Sequence, residues 1–122
     1  MTGFVVFAHG SRLEAANETV RAAAGRLRES LPAEQPVETA FLELGAPNLP
    51  DAIDRLIANG ANRVVVIPYF LTMGRHVERD LPRMVKDIAA ARPGVTIEVT
   101  PPLDGHPALL DILRDRVREA LV

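Results

Sequence analysis

The strongest constraint on the fold is the alternation of four short apolar runs, typical of β-strands, with four amphipathic helical patterns. The runs span residues 4–8, 37–42, 63–68 and 96–99, and the helical patterns span roughly residues 14–31, 49–59, 80–91 and 107–121. The first and third runs are almost continuously apolar, as parallel strands are when helices cover both faces of their sheet. With right-handed crossovers, this order predicts an α/β fold: an open parallel four-stranded sheet flanked by helices, in β-α-β-α-β-α-β-α order.

Each helical pattern carries an apolar stripe that we expect to face the sheet. The expected inward residues, from the first helix to the fourth, are Val20, Ala23, Ala24, Leu27 and Leu31; Ile53, Leu56 and Ile57; Leu81, Met84, Val85, Ile88 and Ala89; and Leu109, Leu110, Leu113, Val117 and Leu121. Pro50, Pro82 and Pro107 are expected in the first turns of the last three helices, where proline removes no intrahelical hydrogen bond. Gly60 and Gly94 follow helical stretches, as helix-ending or turn-forming residues do.

Composition and charge exclude several classes of protein. The 122 residues, 48% of them apolar, suit a single domain with one core over residues 1–122. The absence of cysteine excludes disulfides, thiolate metal sites and a cysteine nucleophile, and it fits a reducing compartment. With a net charge of −2 and no basic run, we expect no nucleic-acid partner. The longest apolar run is too short to span a bilayer, and we find no secretory signal, so we expect a soluble cytoplasmic protein.

Polar side chains follow three of the predicted strands, at the point where each strand ends. His9 opens the segment His-Gly-Ser-Arg after the first strand, and Glu43 interrupts an apolar segment after the second. His76 follows the third strand by a short loop. The carboxyl ends of parallel strands meet at one edge of an open sheet, which is where ligands bind. Two imidazoles and a carboxylate at that edge can hold a metal ion, move a proton, or do both.

Each of these residues also has an ordinary structural interpretation. His9 could simply bond to local backbone, but its position at a strand end favours a function. Gly10 after it would let a bulky ligand approach the backbone closely. Glu43 could be a strand-end carboxylate that faces water, and beside two histidines we favour a functional role for it as well.

Several neighbouring polar residues are expected to shape helix ends. Ser11 is expected as a helix N-cap, and Asp80 as an acid at the start of the third helix, with orientation of the His76 ring as its alternative role. His106 directly precedes a first-turn proline, so a capping or surface role is favoured over metal ligation. Tyr69 is expected to pack in the core. An apolar lip near the site, which suits a flat hydrophobic ligand, is formed by Tyr69, Phe70, Leu71 and Met73.

An ordered set of motifs resembles the short CbiX-type sirohydrochlorin chelatases of the class II chelatase family. The matching segments are residues 8–12 (AHGSR), 40–44 (AFLEL), 65–71 (VVIPYFL), 74–77 (GRHV), 80–82 (DLP) and 102–107 (PLDGHP). They span nearly the whole chain in order. Asp104 stands where a second glycine is common in that family, and this departure touches no candidate catalytic residue.

The resemblance implies a chelatase-like fold and the insertion of a divalent metal ion into sirohydrochlorin, a reduced tetrapyrrole, in cobalamin or sirohaem biosynthesis. It implies His9 as the base and a metal ligand, His76 as the second ligand, and Glu43 as a catalytic residue that contacts the macrocycle or relays protons. The metal is the substrate, with cobalt favoured over iron or nickel, and no organic cofactor is expected. The implied tetrapyrrole-binding loop comprises Phe70, Leu71, Thr72, Met73, Gly74 and Arg75. Arg12, Arg75 and Arg79 are our own candidates for clamping the substrate carboxylates.

The resemblance also implies a homodimer, because the longer relatives fuse two such units and a single unit looks like the short form. A non-catalytic metal or tetrapyrrole carrier on the same fold is the main alternative, since a carrier needs the histidines but no base. A phosphoryl-transfer enzyme with His9 as nucleophile is disfavoured, because no arginine precedes His9 and no glycine-rich phosphate loop is present. A flavodoxin-like module is disfavoured because the first loop lacks a Ser/Thr-rich phosphate cradle.

Overall fold

Four parallel strands form one sheet at the centre of the protein. The computed structural model describes residues 1–122, and its strands are β1 (Thr2–Ala8), β2 (Val37–Phe41), β3 (Arg63–Pro68) and β4 (Thr96–Val99). They lie in the order β2-β1-β3-β4, and each neighbouring pair is parallel. The predicted α/β architecture and the order of its elements are therefore confirmed.

Four helices alternate with the strands: α1 (Glu14–Ser30), α2 (Leu49–Ala58), α3 (Arg75–Ala90) and α4 (Pro107–Leu121). The chain moves outward from β1 to β2 and then returns across β1 to β3. With right-handed crossovers, this reversal places α1 on one face of the sheet and both α2 and α3 on the other. None of the helices is both long and apolar enough to cross a membrane.

Most of the core lies on the face that α2 and α3 cover. Its largest cluster joins alternate residues of β1 and β3, such as Phe7 and Val66, to buried side chains of α2 and α3. A smaller cluster on the opposite face joins Val6 and Val37 to Ala24 of α1. In the sheet register Ala8 pairs with Phe41, so β1 and β2 end at the same level of the sheet.

Helix α3 begins earlier than the sequence pattern predicts. We expected it to start at Asp80 with Pro82 in its first turn, but it starts at Arg75 and Pro82 lies in its interior. Val77 lies one turn before Leu81, a buried member of the core cluster, and its packing against that cluster stabilises the additional turn. The prediction of the helix start was therefore wrong, because tertiary burial outweighed the usual preference of proline for a first turn.

Helix α4 does not bury the stripe that we expected to face the sheet. No residue of α4 is buried, and Leu110, Leu113, Val117 and Leu121 are each at least 52% exposed. The sheet surface that α4 was expected to cover is the face of β3 that carries Val65 and Ile67. This face lies next to the part of the sheet that α1 covers. The expected inward packing of α4 is therefore wrong for this chain by itself.

Candidate active site at the carboxyl edge of the sheet

Three of the sequence-predicted site residues line one cavity of about 200 Å³ at the carboxyl edge of the sheet. His9 lies directly after β1, Glu43 lies two residues after β2, and His76 lies in the first turn of α3. The other lining residues are Phe7, Leu42, Val77, Asp80, Leu81 and Met84. The cavity therefore has an apolar floor, and its ionisable groups lie where the strands end.

His9 and Glu43 form a loose pair at the mouth of the cavity. The Nδ1 atom of His9 lies 3.7 Å from Oε1 of Glu43, and both side chains are slightly more than half exposed. The same Nδ1 atom lies 3.5 Å from the carbonyl oxygen of Gly10. In the tautomer that carries its proton on Nδ1, the ring N–H points towards these two acceptors. The lone pair of Nε2 is then free to accept a proton or to bind a metal ion.

The loops that carry His9 and Glu43 touch through their backbones. The N–H of Leu42 donates to the carbonyl of Ala8 at 2.9 Å, and the N–H of Glu43 donates to the carbonyl of His9 at 3.1 Å. Gly10 has a φ of +95°, and a Cβ at this position would lie 1.7 Å from the carbonyl oxygen of Glu43. We expected Gly10 to admit a ligand, but the backbone of Glu43 takes that space.

Asn17 of α1 is a site-supporting residue that the sequence reasoning missed. Its side chain is 1% exposed and bonds to Ser11 and Leu44, one in each of the two touching loops. It also donates to Glu14, whose pKa is held below its usual range chiefly by the hydrogen bond from Arg21 and then by Asn17. A polar residue three positions before Val20, on the inward stripe of α1, was the available signal.

Ser11 does not cap α1, contrary to expectation. Leu13 occupies the N-cap position, and the hydroxyl oxygen of Ser11 accepts from the N–H of Leu13 at 3.1 Å. The reason is that the chain makes a turn between Ser11 and the helix, and a serine hydroxyl readily bonds two residues ahead in such a turn. Ser11 therefore shapes the loop after His9, and the helix start is left without a side-chain cap.

Phe70 packs beside the His9 ring. The two ring centroids lie 6.4 Å apart with the planes at 90°, and Phe70 meets Phe7 edge-on at 6.0 Å. Of the predicted substrate-binding loop, Phe70 and Met73 pack partly against the core. The exposed members, which do not line the cavity, are Leu71, Thr72, Gly74 and Arg75. Tyr69 is 38% exposed, so its expected core position is wrong.

His76 is held differently from His9. Its Nδ1 atom lies 3.3 Å from Nη2 of Arg79, and the Nε–H of Arg79 donates to Asp80 at 3.2 Å. Because a guanidinium only donates, Nδ1 of His76 is the acceptor in this contact. Asp80 therefore neither starts α3 nor accepts from His76. It lines the cavity one turn farther along the helix and pairs with Arg79 instead.

The remaining candidates lie around the rim or away from it. Arg12 and Arg75 are exposed and make no side-chain hydrogen bond or ion pair within the chain, whereas Arg79 is engaged as described. His106 caps α4, since its Nδ1 accepts from the N–H of Ala108 at 3.0 Å, which confirms the expected capping role. No group of three or more His, Asp or Glu side chains is placed to hold a metal ion within one chain.

The comparison with known protein families shows to which family the chain belongs. The CbiX family model matches residues 3–120. The chain belongs to the CbiX family. The resemblance read from the ordered motifs is thereby confirmed, and so is the identification of the fold with that of the chelatases.

Curated relatives and solved structures agree with this assignment. A chloroplastic sirohydrochlorin ferrochelatase of Arabidopsis thaliana is 35% identical over 98% of this chain and 52% of its own length. A sirohydrochlorin cobaltochelatase of Methanothermobacter thermautotrophicus is 30% identical over 98% of this chain and 92% of its own length. The structure of a CbiX protein from Marinobacter aquaeolei VT8 is 32% identical and superposes with a TM-score of 0.87 over 99% of this chain and 98% of its own.

The relatives fall into two sizes. The sirohydrochlorin chelatase SirB of Bacillus subtilis subspecies spizizenii, solved in complex with cobalt, shares the fold at 22% identity with a TM-score of 0.86. This chain matches 50% of that structure while 97% of this chain is covered. The chain thus spans about half the length of the Arabidopsis and Bacillus proteins and nearly all of the Methanothermobacter one.

Proposed function

We propose that the protein inserts a divalent metal ion, cobalt or iron, into sirohydrochlorin. The observation that carries the proposal is the convergence of His9, Glu43 and His76 on one cavity in a chain of the CbiX family. Relatives that match almost all of this chain are named sirohydrochlorin cobaltochelatase or sirohydrochlorin ferrochelatase. We keep nickel as a third candidate ion, because imidazole ligands accept all three metals.

His9 is the proposed base. A metal ion that enters the free-base macrocycle replaces two pyrrole N–H protons, so two protons leave for each ion inserted. Nε2 of His9 has a free lone pair, and an imidazole accepts protons efficiently near neutral pH. Glu43, whose carboxylate lies 3.7 Å from Nδ1, stabilises the imidazolium that forms and passes protons on to water.

His76 is the proposed second metal ligand. Cobalt and iron ions readily accept imidazole nitrogen, and His76 faces the same cavity as His9. A metal-bound imidazole carries a proton on its other nitrogen and therefore has no lone pair there for Arg79. Binding of a metal ion through Nε2 of His76 thus requires Arg79 to leave Nδ1, which couples metal entry to a movement at the rim.

The rim supplies the proposed contacts to the macrocycle. Arg12 and Arg75 have unengaged guanidinium groups, which suit the peripheral carboxylates of sirohydrochlorin. The segment from Phe70 to Arg75 would contact the tetrapyrrole through its backbone and its exposed apolar side chains. This contact is supported by the position of the segment, since it lies between the Phe70–His9 contact and the start of α3.

A second copy of the chain is the proposed partner. A cavity of about 200 Å³ is smaller than the roughly 300–1,000 Å³ typical of small-molecule sites, and a tetrapyrrole is a large ligand. The accessible surface of the chain is 7,824 Å². A folded monomer of 13.3 kDa exposes about 6,500 Å², and the excess exceeds the roughly 800 Å² that each partner buries in a standard interface.

Two apolar surfaces, the exposed one on α4 and a partly buried one on the sheet, are the proposed parts of this interface. One is the α4 stripe of Leu110, Leu113 and Val117, and the other is the face of β3 around Ile67. A groove of about 500 Å³ next to Ile67 is bordered by residues 100–107, the segment that leads into α4. We propose a homodimer of single units, each spanning residues 1–122, in which α4 packs against the other copy.

Oligomeric state tests the homodimer directly. The double variant L113E/V117E should sediment as a monomer, whereas the wild type sediments as a dimer, because two buried carboxylates oppose helix packing. The double variant A108E/I112E, which places two carboxylates on the opposite, exposed face of the same helix, is the matched charge control and should stay dimeric. A monomeric wild type at micromolar concentration would contradict the proposal.

We further propose a cytoplasmic location, which the absence of cysteine supports.

Turnover tests the function itself. In an anaerobic absorbance assay with sirohydrochlorin and Co²⁺, Fe²⁺ or Ni²⁺, a chelatase forms metallated product in large excess over enzyme. One equivalent of product per chain would instead identify a carrier, and a rate no higher than that without protein would overturn the proposal. H106N is the matched histidine control, since asparagine preserves the helix cap and His106 lies outside the cavity. Because His106 borders the groove next to Ile67, sedimentation of H106N first checks that the variant is dimeric like the wild type.

A further inference from the structure

We propose that Asn17 is a positioning residue of this site: its buried amide fixes the loop that carries His9 against the loop that carries Glu43. The inference rests on the proposed function for its catalytic consequence, whereas the geometric consequence holds for the protein itself. Asn17 lies in α1 and does not line the cavity, so it acts only through the residues that it holds.

One amide joins the two loops. The Oδ1 atom of Asn17 accepts from the N–H of Ser11 at 2.9 Å, and Nδ2 donates to the carbonyl of Ser11 at 2.9 Å and to that of Leu44 at 3.0 Å. Ser11 is two residues after His9, and Leu44 directly follows Glu43. The two N–H groups of a single side chain are therefore shared between the segments that present the base and the carboxylate, with the Glu14 carboxylate as a third acceptor at 3.2 Å.

The Leu44 contact stabilises an unfavourable backbone conformation. Leu44 has a φ of +57°, in the left-handed region that glycine adopts readily and that side chains other than asparagine and aspartate rarely adopt. The Leu44 side chain is 52% exposed, so its packing offsets little of the cost of that conformation. The hydrogen bond from buried Asn17 reaches the Leu44 carbonyl itself, whereas the bond from Arg21 to the Ala46 carbonyl holds the turn two residues farther along.

The surroundings of Asn17 leave no room for an alternative arrangement. The side chain is 1% exposed, and a Cβ on Gly45 would lie 3.1 Å from Nδ2. Removing a partner from a buried hydrogen-bonded group leaves the other partners unsatisfied. In Asn17→Ala the Ser11 N–H and the two carbonyls lose their partner. In Asn17→Asp a carboxylate of the same shape faces both carbonyls and Glu14, so it pushes the loops apart.

Substituting a residue that only stabilises α1 would have different effects from substituting a residue that positions the two loops. The matched control is Leu27→Ala, which removes a partly buried side chain from the same helix in the cluster around Ala24. This variant lowers the stability of the helix packing but touches neither loop. A residue that only stabilises the fold would behave like Leu27, with spectra and kinetics of the folded molecules unchanged.

The three histidines of the chain provide a readout that needs no activity. In ¹H–¹³C spectra of the imidazoles, recorded without metal or substrate, Asn17→Ala should shift and broaden the His9 signals. The signals of His76, on α3, and of His106, at the start of α4, should stay at their wild-type positions. Leu27→Ala should leave all three unchanged. If Asn17→Ala does not fold, Asn17→Asp tests the same prediction, and unchanged His9 signals in the folded variant overturn the inference.

The kinetic experiment then separates this inference from the proposed function. With sirohydrochlorin and Co²⁺, well below the Tm of each variant, Asn17→Ala should lower kcat about tenfold, because small misplacements of catalytic groups are costly. The KM for cobalt should change less than kcat, because His76, the metal ligand that is not displaced, still binds the ion. Leu27→Ala should change neither constant. Displaced His9 signals with wild-type kcat would overturn the catalytic part of the inference, whereas an inactive wild type with displaced signals would contradict only the proposed function.

Discussion

The two histidines of the site line one cavity but have very different supports. His9 lies on a loop that is bonded through its backbone to the Glu43 loop, tied to α1 by Asn17 and packed against Phe70. His76 lies in the exposed first turn of α3, and its ring is contacted by the side chain of Arg79. One imidazole is therefore held from several directions, and the other is held by one exchangeable partner.

This difference matches the two tasks that we propose. A base must lie at a defined position relative to the departing proton, and rigid support gives that precision. A ligand that delivers a metal ion must also release it, so a strongly immobilised ligand would be a disadvantage. The contrast between the two proposed metal ligands thus assigns proton transfer to His9 and makes His76 chiefly a ligand, and the variants below probe each side of it.

The largest effect is expected at His9. His9→Ala removes the proposed base, so kcat for cobalt insertion should fall about 10²- to 10⁴-fold, the usual contribution of a general base. Steady-state kinetics with H106N as the control measure it. A kcat within twofold of wild type would show that another group accepts the protons.

A change in the loop that carries His9 should also have a large effect, in this case on the stability of the fold. Gly10→Ala places a Cβ 1.7 Å from the Glu43 carbonyl oxygen at a φ of +95°, so it should destabilise the fold by about 3 kcal/mol or more. Urea denaturation measures the loss. Gly25→Ala in α1 is the matched control, because nothing lies within 4 Å of its new Cβ. That variant should gain about 0.5–1 kcal/mol, and equal stabilities of the two variants would refute the tight contact between the loops.

His76 should show a different kinetic pattern from His9. His76→Ala should raise the KM for the metal ion at least about tenfold, since changes around metal ligands cost about that much in affinity. The kcat at saturating metal should fall less than about threefold, because the base is intact. A loss of kcat as large as that of His9→Ala, without a change in KM, would remove the division of roles.

The smallest effect is expected at Arg79. Arg79→Ala frees Nδ1 of His76 and removes a nearby positive charge, so the KM for the metal should fall about threefold, the scale of one exposed hydrogen bond. Arg83→Ala, one turn farther along α3 and without a side-chain partner, is the control and should have no effect. A higher KM in Arg79→Ala would mean that Arg79 assists His76 instead of competing with the metal.

The elements and the convergence of the site were predictable because both follow from short-range patterns. Apolar runs identified the strands, and parallel topology places His9 and Glu43, which follow β1 and β2, at one edge. The roles of Ser11, Asp80 and Tyr69 were not predictable in this way, because each depends on a turn or a neighbour that the pattern does not specify. Asn17 was missed because a buried asparagine looks in sequence like a polar interruption of an apolar stripe.

The sequence alone determined the order of strands and helices, the family and the identity of the polar groups at the sheet edge. Tertiary structure decided where α3 begins, that α4 leaves its stripe exposed, and that the supports of His9 and His76 differ. The physical reason is the distance along the chain over which each interaction acts. Periodicity and turn chemistry act over a few residues, whereas the burial of Val77, the bridge made by Asn17 and the exposure of α4 depend on residues far apart in the chain.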